Sequence, residues 1–100
     1  MTAATDFDST LIRRGLQATT ISEMTRFVET MDGRPLDKLL EDLPGFAAFS
    51  ETKFSLARAV LRRRLRALDD VDREQLRALA AEVASAEKSD VAQRITAIFE

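Results

Sequence analysis

Two aspartates one residue apart stand near the start of the chain, in the stretch DFDSTLI from Asp6 to Ile12. Carboxylates that close can serve a reaction, or they can serve only the start of a helix. Adjacent acids recur at Glu41-Asp42 and Asp69-Asp70, and five arginines lie between Arg58 and Arg66 in RAVLRRRLRALDDVD. A run of that kind has the charge to neutralise phosphates. What is missing bounds the rest. The sequence contains no His, Cys, Tyr or Trp, which excludes structural zinc, disulfides and Cys/His nucleophile–base pairs. Carboxylate-bound Mg²⁺ or Ca²⁺ is the metal chemistry that composition leaves.

The order Asp-x-Asp-x-Thr-Leu resembles the nucleophile motif of the haloacid dehalogenase superfamily of phosphatases. The resemblance implies that Asp6 attacks a phosphoryl group and that Asp8 protonates the leaving group. It also implies a buried strand ending at Asp6 in a doubly wound parallel sheet, with a Ser or Thr, a Lys and an acidic pair at later strand ends. It covers six residues of the hundred, and the rest of the chain does not follow it. MTAAT precedes Asp6, so no hydrophobic strand leads into the motif. Lys53 falls in a helical pattern, Asp69-Asp70 falls at a helix end, and βαβ units of about 30 residues find no place. A local reading accounts for more of the stretch. Asp8 is placed as an N-cap accepting first-turn N–H groups, worth about 1 kcal/mol. Phe7 and Ile12 then occupy the two positions of a hydrophobic staple. The helix dipole favours Asp8, and Asp6 is an exposed charge.

The elements that position these groups read as helices throughout, and no segment alternates with strand period. The first is expected over Ser9–Ala18, with Leu11, Ile12 and Leu16 on one side, interrupted by Gly15 and Thr19-Thr20-Ile21. Thr20 with Glu23 makes a capping box for a second helix carrying Ile21, Met24, Val28 and Met31, with Phe27 beside them, ended by Asp32-Gly33. Pro35 suits the first turn of a third, in which Leu36, Leu39, Leu40 and Leu43 share a face. Pro44-Gly45 is expected to stop it, leaving Phe46 and Phe49 in a short turn. A fourth is expected over Ser50–Leu68. Asp72 with Gln75 opens a fifth carrying Leu76, Leu79, Ala80 and Val83. Ser89 caps the last, with Val91, Ile95, Ile98 and Phe99. The expected fold class is therefore all-α: a compact single-domain bundle of five to seven short helices over residues 1–100, with 1–7 as a flexible tail. Helices this short need a shared core. The helix count resembles six-helix adaptor modules such as death-fold domains, in architecture alone, since no motif carries it.

Helical geometry sorts the arginine run. With Leu61 as origin and about 100° per residue, Phe54, Ala57, Leu65 and Leu68 fall beside it, and Leu56, Val60 and Ala67 widen the apolar arc. Arg58, Arg62, Arg63 and Arg66 share the opposite arc, and Arg64 alone falls among the apolar positions. The four arginines read first as a solvated face near a helix C-terminus, offset by the aspartates that follow. Phosphate binding is the sharper reading. Arg64 reads as a snorkelling side chain, or as an interface residue paired with an acid of another helix or chain. A helix-turn-helix centred on Gly45 fails, because it places Glu41 and Glu51 where that motif needs small and apolar residues.

Composition sets the class. A 100-residue chain with 45% apolar and 32% charged residues is one globular domain rather than a disordered one. The first 50 residues carry 8 acids and 5 bases and the last 50 carry 9 and 10. That balance excludes a surface that is wholly a nucleic-acid footprint. Arginine outnumbers lysine 12 to 3; alongside so much Ala and Leu, such a bias usually reflects GC-rich coding and implies no mechanism by itself. The chain carries neither a signal-peptide pattern nor an apolar run long enough to span a membrane, so a cytoplasmic protein without membrane contact is expected. The functional expectation is a protein–protein interaction module, such as an adaptor, an inhibitor or a regulatory or assembly subunit of a bacterial or phage-like system. Its partner is another protein or a second copy. The alternative is a DNA-associated regulator using the arginine face of residues 58–66. No enzyme activity, cofactor or metal is expected. The candidate surface comprises Arg58, Arg62, Arg63, Arg64 and Arg66 with Phe46, Phe49 and Phe99. The apolar pair Ile98-Phe99 is expected either to dock within the fold or to complete its burial against another molecule.

Overall fold

The computed structural model describes residues 14–100, with side chains from Thr20 onward. Asp6, Asp8, the Phe7–Ile12 staple, the tail 1–7 and the start of the helix expected from Ser9 lie outside the described residues. Five α-helices follow in order: α1 (Arg14–Asp32), α2 (Leu36–Phe49), α3 (Glu51–Leu65), α4 (Asp70–Ser85) and α5 (Ser89–Thr96), then a 3₁₀ turn η1 (Ala97–Phe99). Among the described residues there is no strand, so the all-α expectation holds. Among them, too, no helix is long and apolar enough to cross a membrane.

The chain divides into two compact units with the boundary between Thr30 and Met31. The described part of the first is α1 up to Thr30. There Met24, Phe27 and Val28 are half-buried and Ile21 is exposed. α1 runs unbroken through Gly15 and Thr19-Thr20-Ile21, so the capping box expected at Thr20 and Glu23 lies inside a helix. Poor helix formers cost at most about 1 kcal/mol each. A break leaves unpaired backbone groups and needs a new nucleus, which is worse. Asp32-Gly33 does end the helix.

The second unit, Met31–Glu100, is built on α2, which packs against α3, α4 and α5, while α4 packs on α5 and η1 returns to α3. Leu39, Leu40, Leu43, Phe54, Leu61 and Ile95 are its largest fully buried side chains. Each contributes roughly 1.5–3 kcal/mol by leaving water. Pro35 is the N-cap of α2, its carbonyl accepting the Leu39 N–H at 3.0 Å. Pro44-Gly45 does not stop α2; Pro44 lies within it. The proline lacks an N–H for the Leu40 carbonyl, but its fixed φ is helical, and the ladder resumes beyond it. Phe46 and Phe49 consequently lie in the last turn of α2 rather than in a separate turn. Only Ser50 separates α2 from α3. Its extended backbone closes the corner, its N–H bonds the Phe46 carbonyl at 2.8 Å, and its hydroxyl accepts the Lys53 N–H at 3.2 Å.

Further boundaries differ from those expected. α3 starts at Glu51, one residue after the expected start, with Ser50 as its N-cap, and ends at Leu65, three residues early. Ala67 and Leu68 bond back to the Arg64 and Leu65 carbonyls at 3.1 Å, the tighter turn common at helix ends. α4 is capped by Asp69, whose carboxylate accepts the Asp72 N–H at 2.8 Å, so Asp72 sits inside the first turn. α5 takes Lys88 as N-cap without a side-chain bond, and Ser89 is its first residue. In both α4 and α5 the extended residue that turns the chain, not the nearest polar side chain in a motif, sets the start.

Candidate interaction surface

The surface is built mainly on α3. Phe54, Ala57, Val60, Leu61 and Leu65 are its buried residues, the arc that its spacing defines. Arg58, Arg62, Arg63 and Arg66 are exposed on the other side. Arg63 pairs with Asp32. Arg58, Arg62 and Arg66 have no acid or carbonyl partner among the described residues. The aspartates expected to offset this face turn away from it. Asp69 caps α4, and Asp70 accepts from Arg73 Nη1 at 2.8 Å.

Arg64 behaves differently from its neighbours. It is half-buried, and its Nη1 donates to the Met31 carbonyl at 2.9 Å and to the Arg34 carbonyl at 2.6 Å. These acceptors lie where α1 ends and the chain turns into α2, in part-buried surroundings. Arg64 therefore pairs with backbone carbonyls of its own chain rather than with an acid, and it is not free surface. Arg34 in turn grips Asp42 with Nε and Nη2.

Arg73 and Arg77 have similar tasks, though they lie outside the arginine run. Arg73 donates to the Leu65 carbonyl at 3.3 Å and the Leu68 carbonyl at 2.6 Å, closing the end of α3. Arg77 donates to the Phe99 carbonyl at 2.8 Å and stands 5.8 Å from its ring centroid. Arg94 lies over the Phe54 ring at 4.1 Å and pairs with Glu51. No local signal in the sequence marks these residues, because each reaches a different element.

The phenylalanines separate sharply. Phe99 is 8% exposed and Ile98 is 4% exposed, so both dock within the fold and Phe99 is not a free contact residue. Phe46 is half-buried. Phe49 is 90% exposed, the most exposed large apolar side chain among the described residues. It stands at the α2–α3 corner beside an open cleft of about 600 Å³ lined also by Gly45, Phe46, Ser50 and Lys53. The acids on that rim are engaged: Glu41 with Lys38 at 3.7 Å and Asp42 with Arg34. A second cleft of about 440 Å³ is lined by Arg62, Arg66 and Arg73 over Leu65, Ile98 and Phe99. A third, of about 430 Å³, runs between α2 and α4 along half-buried Leu36, Leu68, Leu76 and Leu79.

Comparison with protein families, with curated proteins and with solved structures finds no match for this chain. The chemistry of its own surface is therefore what informs its function. Among the described residues no three acidic side chains gather closely enough to hold a metal ion. Those residues offer one exposed aromatic corner and one unpaired arginine face.

Proposed function

We propose that this protein is a small helical protein–protein interaction module, binding through the α2–α3 corner and acting as an adaptor, inhibitor or assembly subunit rather than as an enzyme. The observation that carries the reading is Phe49. Burying a phenylalanine gains roughly 1.5–3 kcal/mol, and Phe49 takes almost none of that within its own chain. Aromatic residues are enriched in the buried cores of interfaces, where a few side chains supply most of the binding energy. The adjoining cleft gives a partner side chain a place to enter beside the ring. Its acids are already paired, so a partner meets little uncompensated charge there.

Photo-crosslinking in the producing cells tests this. A benzoylphenylalanine at position 49 is expected to yield a discrete adduct, absent when the same group replaces exposed Glu82. No adduct, or equal adducts at both positions, overturns the reading. Sedimentation velocity of the wild-type and Phe49→Ser chains then identifies the partner type. Self-association that the substitution abolishes makes the partner a second copy.

A second reading has one observation in its favour. Among the described residues, Arg58, Arg62 and Arg66 lack the acid partners that would make them a neutralised face. Three arginines on one helix face suit a phosphate backbone, and binding through them would give a salt slope of about −3. Salt-steep binding of duplex DNA, lost in Arg58/Arg62/Arg66→Ala, selects the DNA-associated regulator.

A further inference from the structure

We propose that the cleft between the end of α3, the start of α4 and η1 binds an acidic peptide segment of a partner protein. In this binding Arg62 and Arg66 take its carboxylates, and the floor beneath them takes an apolar side chain. The inference rests on reading the protein as an interaction module and names the partner's chemistry at a second surface.

Charge is the first support. Arg62, in the last turn of α3, and Arg66, its C-cap, are one helical turn apart, exposed, and without a partner among the described residues. Among the described residues of the lining, Arg73 is the third arginine and Glu100 the one acid. A planar guanidinium offers a fork of donors that matches a carboxylate with two parallel bonds. A helix C-terminus normally repels anions through its bare carbonyls. Here Arg73 has already bonded the Leu65 and Leu68 carbonyls, so that repulsion is muted where the cleft opens.

Shape is the second. The volume, about 440 Å³, falls in the range of pockets that hold ligand groups. The floor is Leu65, Ile98 and Phe99, held rigid because all three belong to the core. A rigid floor lowers the ordering cost of binding. It also separates a peptide from a nucleic acid. Single strands bind by stacking bases on open aromatic faces, and Phe99 at 8% exposure has no face to offer. The narrow apolar strip that these residues leave open is too small for a stacked base but can meet one aliphatic side chain, with acids on either side of it reaching the arginines.

Fluorescence anisotropy with the full chain decides it. The probes are a labelled Glu/Asp-rich peptide with one central Leu, the same peptide with Ser in place of Leu, a Lys-for-Glu version, and a thymidine oligonucleotide of equal charge. The Leu peptide is expected to bind, the Ser peptide about tenfold more weakly, and the Lys peptide not at all. Arg62→Gln/Arg66→Gln should weaken the Leu peptide at least about tenfold with the helical circular dichroism spectrum retained, since both residues are exposed. Phe49→Ser should leave it unchanged. No binding, equal binding of the Leu and Ser peptides, or an oligonucleotide bound as tightly as the Leu peptide each overturns the proposal. A persisting adduct at position 49 with no peptide binding sinks this inference alone. Peptide binding with no adduct sinks the Phe49 reading alone.

Discussion

Arg64 occupies a helical position that spacing assigns to apolar side chains, and its guanidinium bonds two carbonyls at the α1–α2 turn. Hydrogen bonds to charged groups contribute roughly 1.5–3 kcal/mol each, net of the exchange with water. Arg64→Met keeps the packed stem and removes the donors, so it should lower stability by about 2 kcal/mol in urea titration. Arg62→Met, at an exposed site unpaired among the described residues, should change it by less than about 0.5 kcal/mol. Equal effects would mean that the Arg64 bonds contribute nothing. Arg73 and Arg77 bond carbonyls elsewhere in the same way. The excess of arginine over lysine thus has a structural use that composition does not reveal. A guanidinium spreads five donors over a rigid fork and can satisfy two carbonyls at once, while an ammonium is a point charge.

At the scale of elements, α2 carries a proline and a glycine in its interior and is helical nonetheless. The exposed Gly45 is the weaker link. A Cβ added there meets nothing within 4 Å, and its backbone is helical, so no special conformation holds glycine in place. Gly45→Ala should therefore stabilise the protein by about 0.5–1 kcal/mol, through the lower entropy of the unfolded chain and better helix propensity. A shift of the urea midpoint to higher concentration without a change in slope is the expected signature. A destabilised variant would show that the α2–α3 corner needs glycine, and the account of α2 as an ordinary helix would fail. The α3–α4 and α4–α5 joints are instead governed by extended residues, Asp69 and Lys88. Only the first of them adds a side-chain cap.

For the molecule as a whole, stability and recognition fall on different phenylalanines. Phe54 is fully buried against α5, under Arg94. Phe54→Ala should cost about 3–5 kcal/mol, a large part of the 5–15 kcal/mol typical of a domain, and lower the melting temperature by roughly 15–30 °C. Phe49→Ala should leave thermal stability within about 0.5 kcal/mol. Circular dichroism melts of the two variants check this directly. If Phe49→Ala destabilised as much as Phe54→Ala, Phe49 would be a core residue and the contact surface proposed at the α2–α3 corner would be lost.

What the sequence determined by itself is periodic and local. The leucines of α2, the apolar arc of α3, the exposed arc of Arg58, Arg62, Arg63 and Arg66, and the helix boundaries near Ser50 and at Asp32-Gly33 follow from 3.6-residue spacing and short-range bonding, so they were legible in the sequence. Gly15, Thr20 and Pro44 misled for one reason. Their cost is local, whereas the gain from continuing a helix is shared along its length. Tertiary structure alone decided which polar groups meet. Asp69 and Asp70 serve α4 instead of the arginines beside them in sequence, Arg64 reaches back some thirty residues to the α1–α2 turn, and Phe49 is bare while Phe99 is covered. Such pairings depend on the angles between packed helices, and those angles follow from how whole side-chain faces interlock, which no short stretch of sequence encodes.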